Sequence, residues 1–266
     1  MLPDFEMVVH QFKGGHDIVI YPVADVHLGS PECREQEFIK FINSVVNTPN
    51  GYICLLGDLI DNGTRNSLTN PFRATMPPSQ QKREMAKILE PARDRILFFC
   101  PGNHERRSMK DADDCPVYDI AAKLDLEHLY RENIVFMKIQ MGEERGENGS
   151  GNGYKRPAYV IVGLHGAGGG ILSGSALNRN ERFGYAIDGM DLLISGHTHK
   201  PLTSQPGKIV IDSRNNVVSV KPFKVVVATS WLDYGGYAAR MMLLPSTFCP
   251  NTITLSGDHK EITVTM

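Results

Sequence analysis

The sequence predicts an α/β fold of two stacked β-sheets with flanking helices, gathered into one domain over residues 1–266. Three observations lead there. Short apolar runs rich in β-branched and aromatic residues recur, each stopping at a polar cluster. Amphipathic helical patterns separate the first few of these runs. After residue 205 the texture turns almost wholly strand-like, so 206–266 is expected to complete the second sheet.

In chain order, the expected strands of the first part are 18–23, 52–56, 96–99, 159–164 and 192–194, short enough and apolar enough to be buried on both faces. Residues 35–46 place Phe38, Ile39, Ile42, Val45 and Val46 on one face at a 3.6-residue period, which predicts a helix. A second helix is expected over 79–89, with Ser79 at its start and Pro91 past its end, and a third over 117–129. The polar, glycine-rich stretch 142–156 reads as a loop. Beyond it, 209–211, 216–220, 224–229, 237–244 and 262–264 are strand-like.

With 266 residues, 41% of them apolar, the chain can bury one sizeable core. A net charge of -2 gives no global field to draw it onto nucleic acid. Five cysteines, an odd number with no CxxC pair, read as reduced intracellular thiols. There is no signal-like start and no apolar run near the roughly 20 residues of a membrane span, so a soluble, cytoplasmic protein is expected.

Each polar motif of chemical interest directly follows one of the expected strands. Asp25-Val26-His27 follows the first and Gly57-Asp58-Leu59-Ile60-Asp61 the second. Gly102-Asn103-His104-Glu105 follows the third, His165 the fourth and Gly196-His197-Thr198-His199 the fifth. Loops leaving the C-terminal ends of strands converge, which is why ligands bind there in α/β folds. Any one motif has an ordinary explanation: Gly-Asp is a common turn pair, and a lone histidine is usually a core or loop residue. Five together do not. Carboxylate, imidazole and amide oxygen suit Mn, Fe, Zn and similar divalent ions. A pair of ions about 3.5–4 Å apart needs a shared ligand, and Asp58, in the middle of the series, is the natural bridge. The glycines before Asp58, Asn103 and His197 permit sharp turns and close backbone approach. The remaining histidines, His10, His16, His128 and His259, are assigned to surface or loop.

These residues resemble the calcineurin-like metallophosphoesterase family, whose pattern runs D-x-H, G-D-x-x-D, G-N-H-D/E, a lone H, then G-H-x-H. All five elements occur in order between residues 25 and 199. The resemblance implies a four-layer α-β-β-α sandwich of two mixed sheets. It implies one metal on Asp25, His27, Asp58 and His199, and a second on Asp58, Asn103, His165 and His197. Mn²⁺ is the first choice, with Fe and Zn²⁺ also compatible. His104 would face the scissile phosphate, Asp61 would orient the site, and a hydroxide bridging the metals would attack phosphorus in line. Asn62 lies where family members place substrate contacts.

Signals for the substrate are weaker. Arg106 and Arg107 either meet phosphate oxygens or form a solvated pair. Gly166–Gly170 is either an anion-binding nest or a plain loop, and Asn178, Arg179 and Arg182 follow in a polar helical stretch expected to flank the cleft. Trp231 and Tyr234 either stack on a base or pack in the core. The leading expectation is a phosphodiesterase, with a nuclease included if a local basic patch or partner offsets the mild negative charge. The alternatives are a phosphomonoesterase or protein phosphatase, and a catalytically silent binding module. Oligomeric state is open, although 216–266 offers a strand edge for pairing.

Overall fold

The structure, a computed structural model, describes residues 5–65, 67, 70–142, 157–168, 170 and 172–266. The expected loop 142–156 lies outside these residues apart from Gly142, as do Asn66 and Gly169. Two mixed sheets carry the fold. One has five strands in the order β13 (Ile262–Thr265), β12 (Thr252–Leu255), β2 (Ile18–Val23), β3 (Gly51–Leu55) and β4 (Ile96–Phe99). The other has six, in the order β1 (Met7–Phe12), β5 (Val135–Met141), β6 (Ala158–Leu164), β7 (Leu192–Ser195), β11 (Lys224–Val227) and β8 (Leu202–Ser204). Among the described residues, strands β9 (Gly207–Asp212) and β10 (Val217–Pro222) pair only with each other.

Side-chain alternation separates the layers. In the six-stranded sheet Ile161, Leu192, Ile194 and Val226 join a core that also holds Ile20, Ile53, Leu55 and Phe98 of the five-stranded sheet. Val162, Leu193 and Val225 point the other way and form a second cluster with Leu177 and Phe183 of α5 (Ser173–Tyr185). The period of two thus sends one set of side chains between the sheets and the other under a helix. On the far side, α1 (Glu35–Asn47) buries Phe38, Ile42 and Val45, α2 (Pro78–Leu89) packs beside it, and α4 (Pro116–Lys123) packs against α2.

Several expectations shift. Pro78 begins α2, one residue before Ser79, because proline suits a helix's first position and has no N–H to satisfy there. The helix expected over 117–129 ends at Lys123 and resumes as a short turn at Glu127–Leu129. Residues 237–244, expected as a strand, open with the short helix α6 (Gly236–Arg240) and continue without regular structure. The strands after residue 205 are divided: β11 joins the six-stranded sheet, β12 and β13 the five-stranded one.

What matters for the site is direction. Strands β2, β3 and β4 run parallel, so the turns that follow them leave from one edge. Strands β6 and β7 are likewise parallel in the opposing sheet.

Candidate metal centre

The turns after β2 and β3 are laced together before any side chain is considered. Asp25 N–H donates to Gly57 O at 3.1 Å, His27 N–H to Asp58 O at 2.9 Å, and Asp61 N–H to Leu28 O at 3.0 Å. The opposing sheet joins through His197 N–H, which donates to Asp25 Oδ2 at 2.8 Å. Asp25, His27, Asp58, His197 and His199 all have left-handed backbone, with φ of 55°, 51°, 50°, 71° and 56°. Each such residue costs about 1 kcal/mol or more, and strain of this kind gathers where side chains must be aimed. Gly57, at φ 84°, and Gly102 complete the packing. A Cβ on Gly57 would lie 2.1 Å from Gly102 N, and one on Gly102 would lie 2.1 Å from Asp58 Oδ1.

One buried carboxylate ties these turns to α3 (Asn103–Ala112). Glu105 accepts Asp58 N–H at 2.9 Å and Gly102 N–H at 2.8 Å on one oxygen. Its other oxygen accepts Leu59 N–H at 2.7 Å and Ile60 N–H at 3.2 Å. Burial, then the nearby Asp58 charge, raises its pKa. Asp58 Oδ1 in turn accepts His104 N–H in the first turn of α3 at 2.7 Å, where the helix dipole favours an anion.

The seven expected ligands meet in this setting. Six of them, together with His104, form three groups of converging donor atoms, Asp25–His27–His199, His27–Asp58–His104 and Asp58–His165–His197, so that Asp58 and His27 each serve two, and Asn103 Oδ1 adjoins His165 and His197. Donors about 2.1 Å from a common cation, at tetrahedral or octahedral angles, sit about 3.0–3.4 Å apart. Five separations fall there: His199 Nε2 to Asp25 Oδ1 3.1 Å, His27 Nε2 to His199 Nε2 3.4 Å, His165 Nε2 to Asp58 Oδ2 3.3 Å, His165 Nε2 to His197 Nδ1 3.2 Å, and His165 Nε2 to Asn103 Oδ1 3.0 Å, while His197 Nδ1 to Asn103 Oδ1 is shorter at 2.7 Å. His27 Nε2 stands wider, 3.9 Å from Asp25 Oδ1 and 3.8 Å from Asp58 Oδ2. Asp25 Oδ1 is fully buried and makes no hydrogen bond. A buried carboxylate oxygen without a hydrogen bond is costly in a protein interior, and a cation shared with the nearby His199 Nε2 would offset that cost. The donor set fits divalent metal.

Protonation points the same way. His165 Nδ1 lies 2.8 Å from Leu56 O, which can only accept, so Nδ1 carries the proton and Nε2 faces the other ligands. For His165 burial opposes the charged ring, but Asp58 and Asp25 prevail and push its pKa up to about 10. His27 goes the other way, down to about 3, through burial and the His104 charge. Burial and His165 also lower His197. For Asp58, burial is outweighed by His165, His104 and His27, which hold its carboxyl well below the usual range.

His104 stands apart. Its Nδ1 donates to Asp61 O at 2.7 Å, with Asp61 Oδ1 at 3.5 Å, and Nε2 is 3.9 Å from Asp58 Oδ2. Burial disfavours its charge, yet Asp58 and Asp61 raise its pKa overall.

The site opens into a cavity of about 690 Å³. His104, Asp61 and Arg107 line it, and Arg107 also donates to Ser67 Oγ at 3.2 Å. Arg106 turns away, onto Glu132 O and Asn133 Oδ1. Asn62 is fully buried: its amide donates to His104 O and Ser108 Oγ, both at 2.8 Å, and it pins α3 without lining the cavity. Gly168 and Gly170 line the cavity, and Arg179 holds that loop through Ala167 O. Tyr234 lines the cavity, whereas Trp231 is buried against Phe38, Phe41 and Phe248. His10, assigned to surface or loop, sits half-buried on β1 with Nε2 2.8 Å from Leu97 O. Sequence reasoning passed over Glu105, although Gly102-x-x-Glu105 is the spacing by which a third-position glutamate caps a helix start. It also passed over Lys200 and the Tyr237–Phe248 wall of the cavity.

The calcineurin-like phosphoesterase family model matches residues 18–201, more than half of the chain. No curated protein matches. Among solved structures, a metallophosphoesterase from Sphaerobacter thermophilus is 14% identical, with 93% of this chain and 87% of that one covered and a TM-score of 0.40. The calcineurin-like phosphoesterase YfkN from Bacillus subtilis is 12% identical, with 94% and 90% covered and a TM-score of 0.36.

Proposed function

Because this chain belongs to the calcineurin-like phosphoesterase family, and is therefore a phosphoester hydrolase, we propose that it is a dinuclear phosphodiesterase acting on small diesters. The observation that carries the two-metal reading is the position of Asp58, which converges with His27 and His104 on one side and with His165 and His197 on the other, while His27 also converges with Asp25 and His199. Asp25, His27, Asp58 and His199 would hold one ion; Asp58, Asn103, His165 and His197 would hold the other. The oxygen and nitrogen donors suit Mn²⁺ first, with Fe and Zn²⁺ compatible. Such ions supply Lewis-acid stabilisation of phosphoryl charge and an activated water.

The chain's own groups do the rest. The Asp61 carbonyl fixes the proton on His104 Nδ1 and leaves Nε2 facing the cavity. Asp58 and Asp61 raise the His104 pKa and favour its charged ring, which would donate a proton from Nε2 to the leaving oxygen. Arg107, from the cavity wall, meets phosphoryl oxygens. The diester preference rests on space. Beyond the ligands the cavity runs on to Tyr234, Tyr237, Leu243, Leu244 and Phe248, which gives a second ester substituent an apolar wall to lie against. Asp233 and Glu32 line the cavity too, and the net charge is -2, so a duplex nucleic acid is disfavoured as substrate. All five cysteines are unpaired, which fits the reducing cytoplasm. Among the described residues no helix is long and apolar enough to cross a membrane.

The test compares bis-p-nitrophenyl phosphate with p-nitrophenyl phosphate on Mn²⁺-loaded protein. Turnover of the diester at higher kcat/KM is expected. Turnover of the monoester alone would sink the diesterase reading and leave a phosphomonoesterase; turnover of neither, with both metals bound, would leave a binding module.

A further inference from the structure

The β9–β10 hairpin turns an apolar face to solvent. In this antiparallel pair Ile209 faces Val220 and Ile211 faces Val218, so the four side chains share one face. That face points to solvent: Ile209 is 76% exposed, Ile211 74%, Val218 68% and Val220 70%. The opposite face carries Lys208, Val210, Val217, Ser219 and Lys221; its β9 side turns toward the protein's own body, while Val217, Ser219 and Lys221 on β10 are exposed. Lys208 and Val210 are half-buried, and Lys208 Nζ meets Ile187 O and lies 5.3 Å from the centre of the Phe223 ring. Lys221 Nζ lies 4.0 Å from Asp191 Oδ1. A two-sided antiparallel ribbon normally buries its apolar face and wets the polar one. Here Ile209, Ile211, Val218 and Val220 go out, while Lys208 turns inward.

A two-stranded hairpin is at best marginally stable in water without a covered face. The four exposed side chains leave on the order of 500 Å² of apolar surface, within the range of a monomer's largest patch, which is often functional. None of them lines the catalytic cavity. The outer edge of β10 ends in Lys221 and Pro222, residues that discourage addition of another strand. The face is thus left to be covered by packing.

We infer that this face packs against the same face of a second copy of the chain, giving a two-fold dimer. The patch carries no charge, and its two cross-strand Ile–Val pairs let a rotation axis through its centre set isoleucine against valine on both sides. Two such faces together bury about 1,000 Å², the threshold of a specific interface, before any flanking contacts are counted.

Sedimentation velocity on the full chain, from about 1 to about 100 µM, tests this. The expected result is a reversible, concentration-dependent dimer. The Ile211→Lys/Val218→Lys variant places like charges at the centre of the interface and should be monomeric throughout. It should keep its circular dichroism and its phosphoesterase activity per chain. A Val218→Thr/Val220→Thr variant keeps strand-forming residues and should weaken the dimer tenfold or more, which reads the interface even if the lysine variant fails to fold. A wild-type chain that stays monomeric at the highest concentration, including one that binds some other protein, overturns the inference. So does a folded lysine variant that dimerises as the wild type does.

Discussion

Glu105 holds Asp58 by its backbone: the Glu105 carboxylate accepts Asp58 N–H at 2.9 Å, and the Asp58 carboxylate accepts His104 N–H at 2.7 Å. The residue proposed to bridge two cations is therefore clamped from both ends by the start of one helix. Glu105→Gln keeps the shape but leaves only one acceptor oxygen for four backbone N–H groups. A loss of about 2–4 kcal/mol is expected, from weakened and unsatisfied buried hydrogen bonds. Calorimetry of the metal-free protein should show a lower Tm, and titration should show weaker Mn²⁺ binding. A variant with unchanged Tm and affinity would remove Glu105 from the positioning of the site.

Asp58→Asn should lower occupancy of both metal positions, since the amide offers one oxygen ligand and no charge. Elemental analysis after dialysis against limiting Mn²⁺ reads this directly. Full loading of two ions per chain would refute the bridging assignment.

His104→Ala should lower kcat by roughly 10²–10⁴-fold, the range for a general acid, with metal content intact. The raised pKa of His104 sets the sign of the pH profile. The donor is lost as pH rises through that value, so the wild-type kcat falls on the alkaline side. The alanine variant should lack that limb when a diester with a poor leaving group is used.

His165 gives the metal-free protein a pH signature. Its pKa is pushed up to about 10, so its ion pair with Asp58 stabilises the fold fully below about pH 6.5 and fades as pH rises through about 10. A cation that takes His165 Nε2 must displace that proton. Binding near pH 8 should release about one proton, and affinity should climb up to about tenfold per pH unit toward pH 10. Titration calorimetry in two buffers of different ionisation enthalpy measures it. Affinity that is flat from pH 7 to 9 would exclude His165 as a ligand.

Gly102→Ala should be poorly tolerated, because its Cβ would meet Asp58 Oδ1 at 2.1 Å. A destabilisation of about 1–3 kcal/mol is expected, together with weaker metal binding. Alanine at Gly174, where nothing lies within 4 Å, is the control and should leave Tm unchanged or slightly raised.

The motifs were legible because each sits at the end of a short apolar strand, and β2 and β4 lie where the sequence puts them. What was not legible has physical reasons. Helix α3 buries only Glu105 and Ser108, so it has no apolar stripe for periodicity to find. Strand β5, with its alternating Val135, Met137, Ile139 and Met141 buried, carried a clear period of two that the reading passed over. The apolar run 237–244 looked like a strand, but α6 and the chain after it stand half open against the cavity, where tertiary setting outweighs composition. Asn62 and Arg106 are close to the ligands in sequence, and no sequence rule says which way a side chain turns out of a loop or helix end. The structure sends Asn62 beneath α3 and Arg106 to Glu132.

Asp25, His27 and Asp58 leave one sheet, while His165, His197 and His199 leave the other. Ions held by both sets would act as rivets through the sandwich. Stability would then depend on free metal as RT ln(1 + [M]/Kd). Chelation would loosen the seam between the sheets before it unravelled either sheet, and backbone amides near His197 and Asp25 would be the first to exchange with solvent.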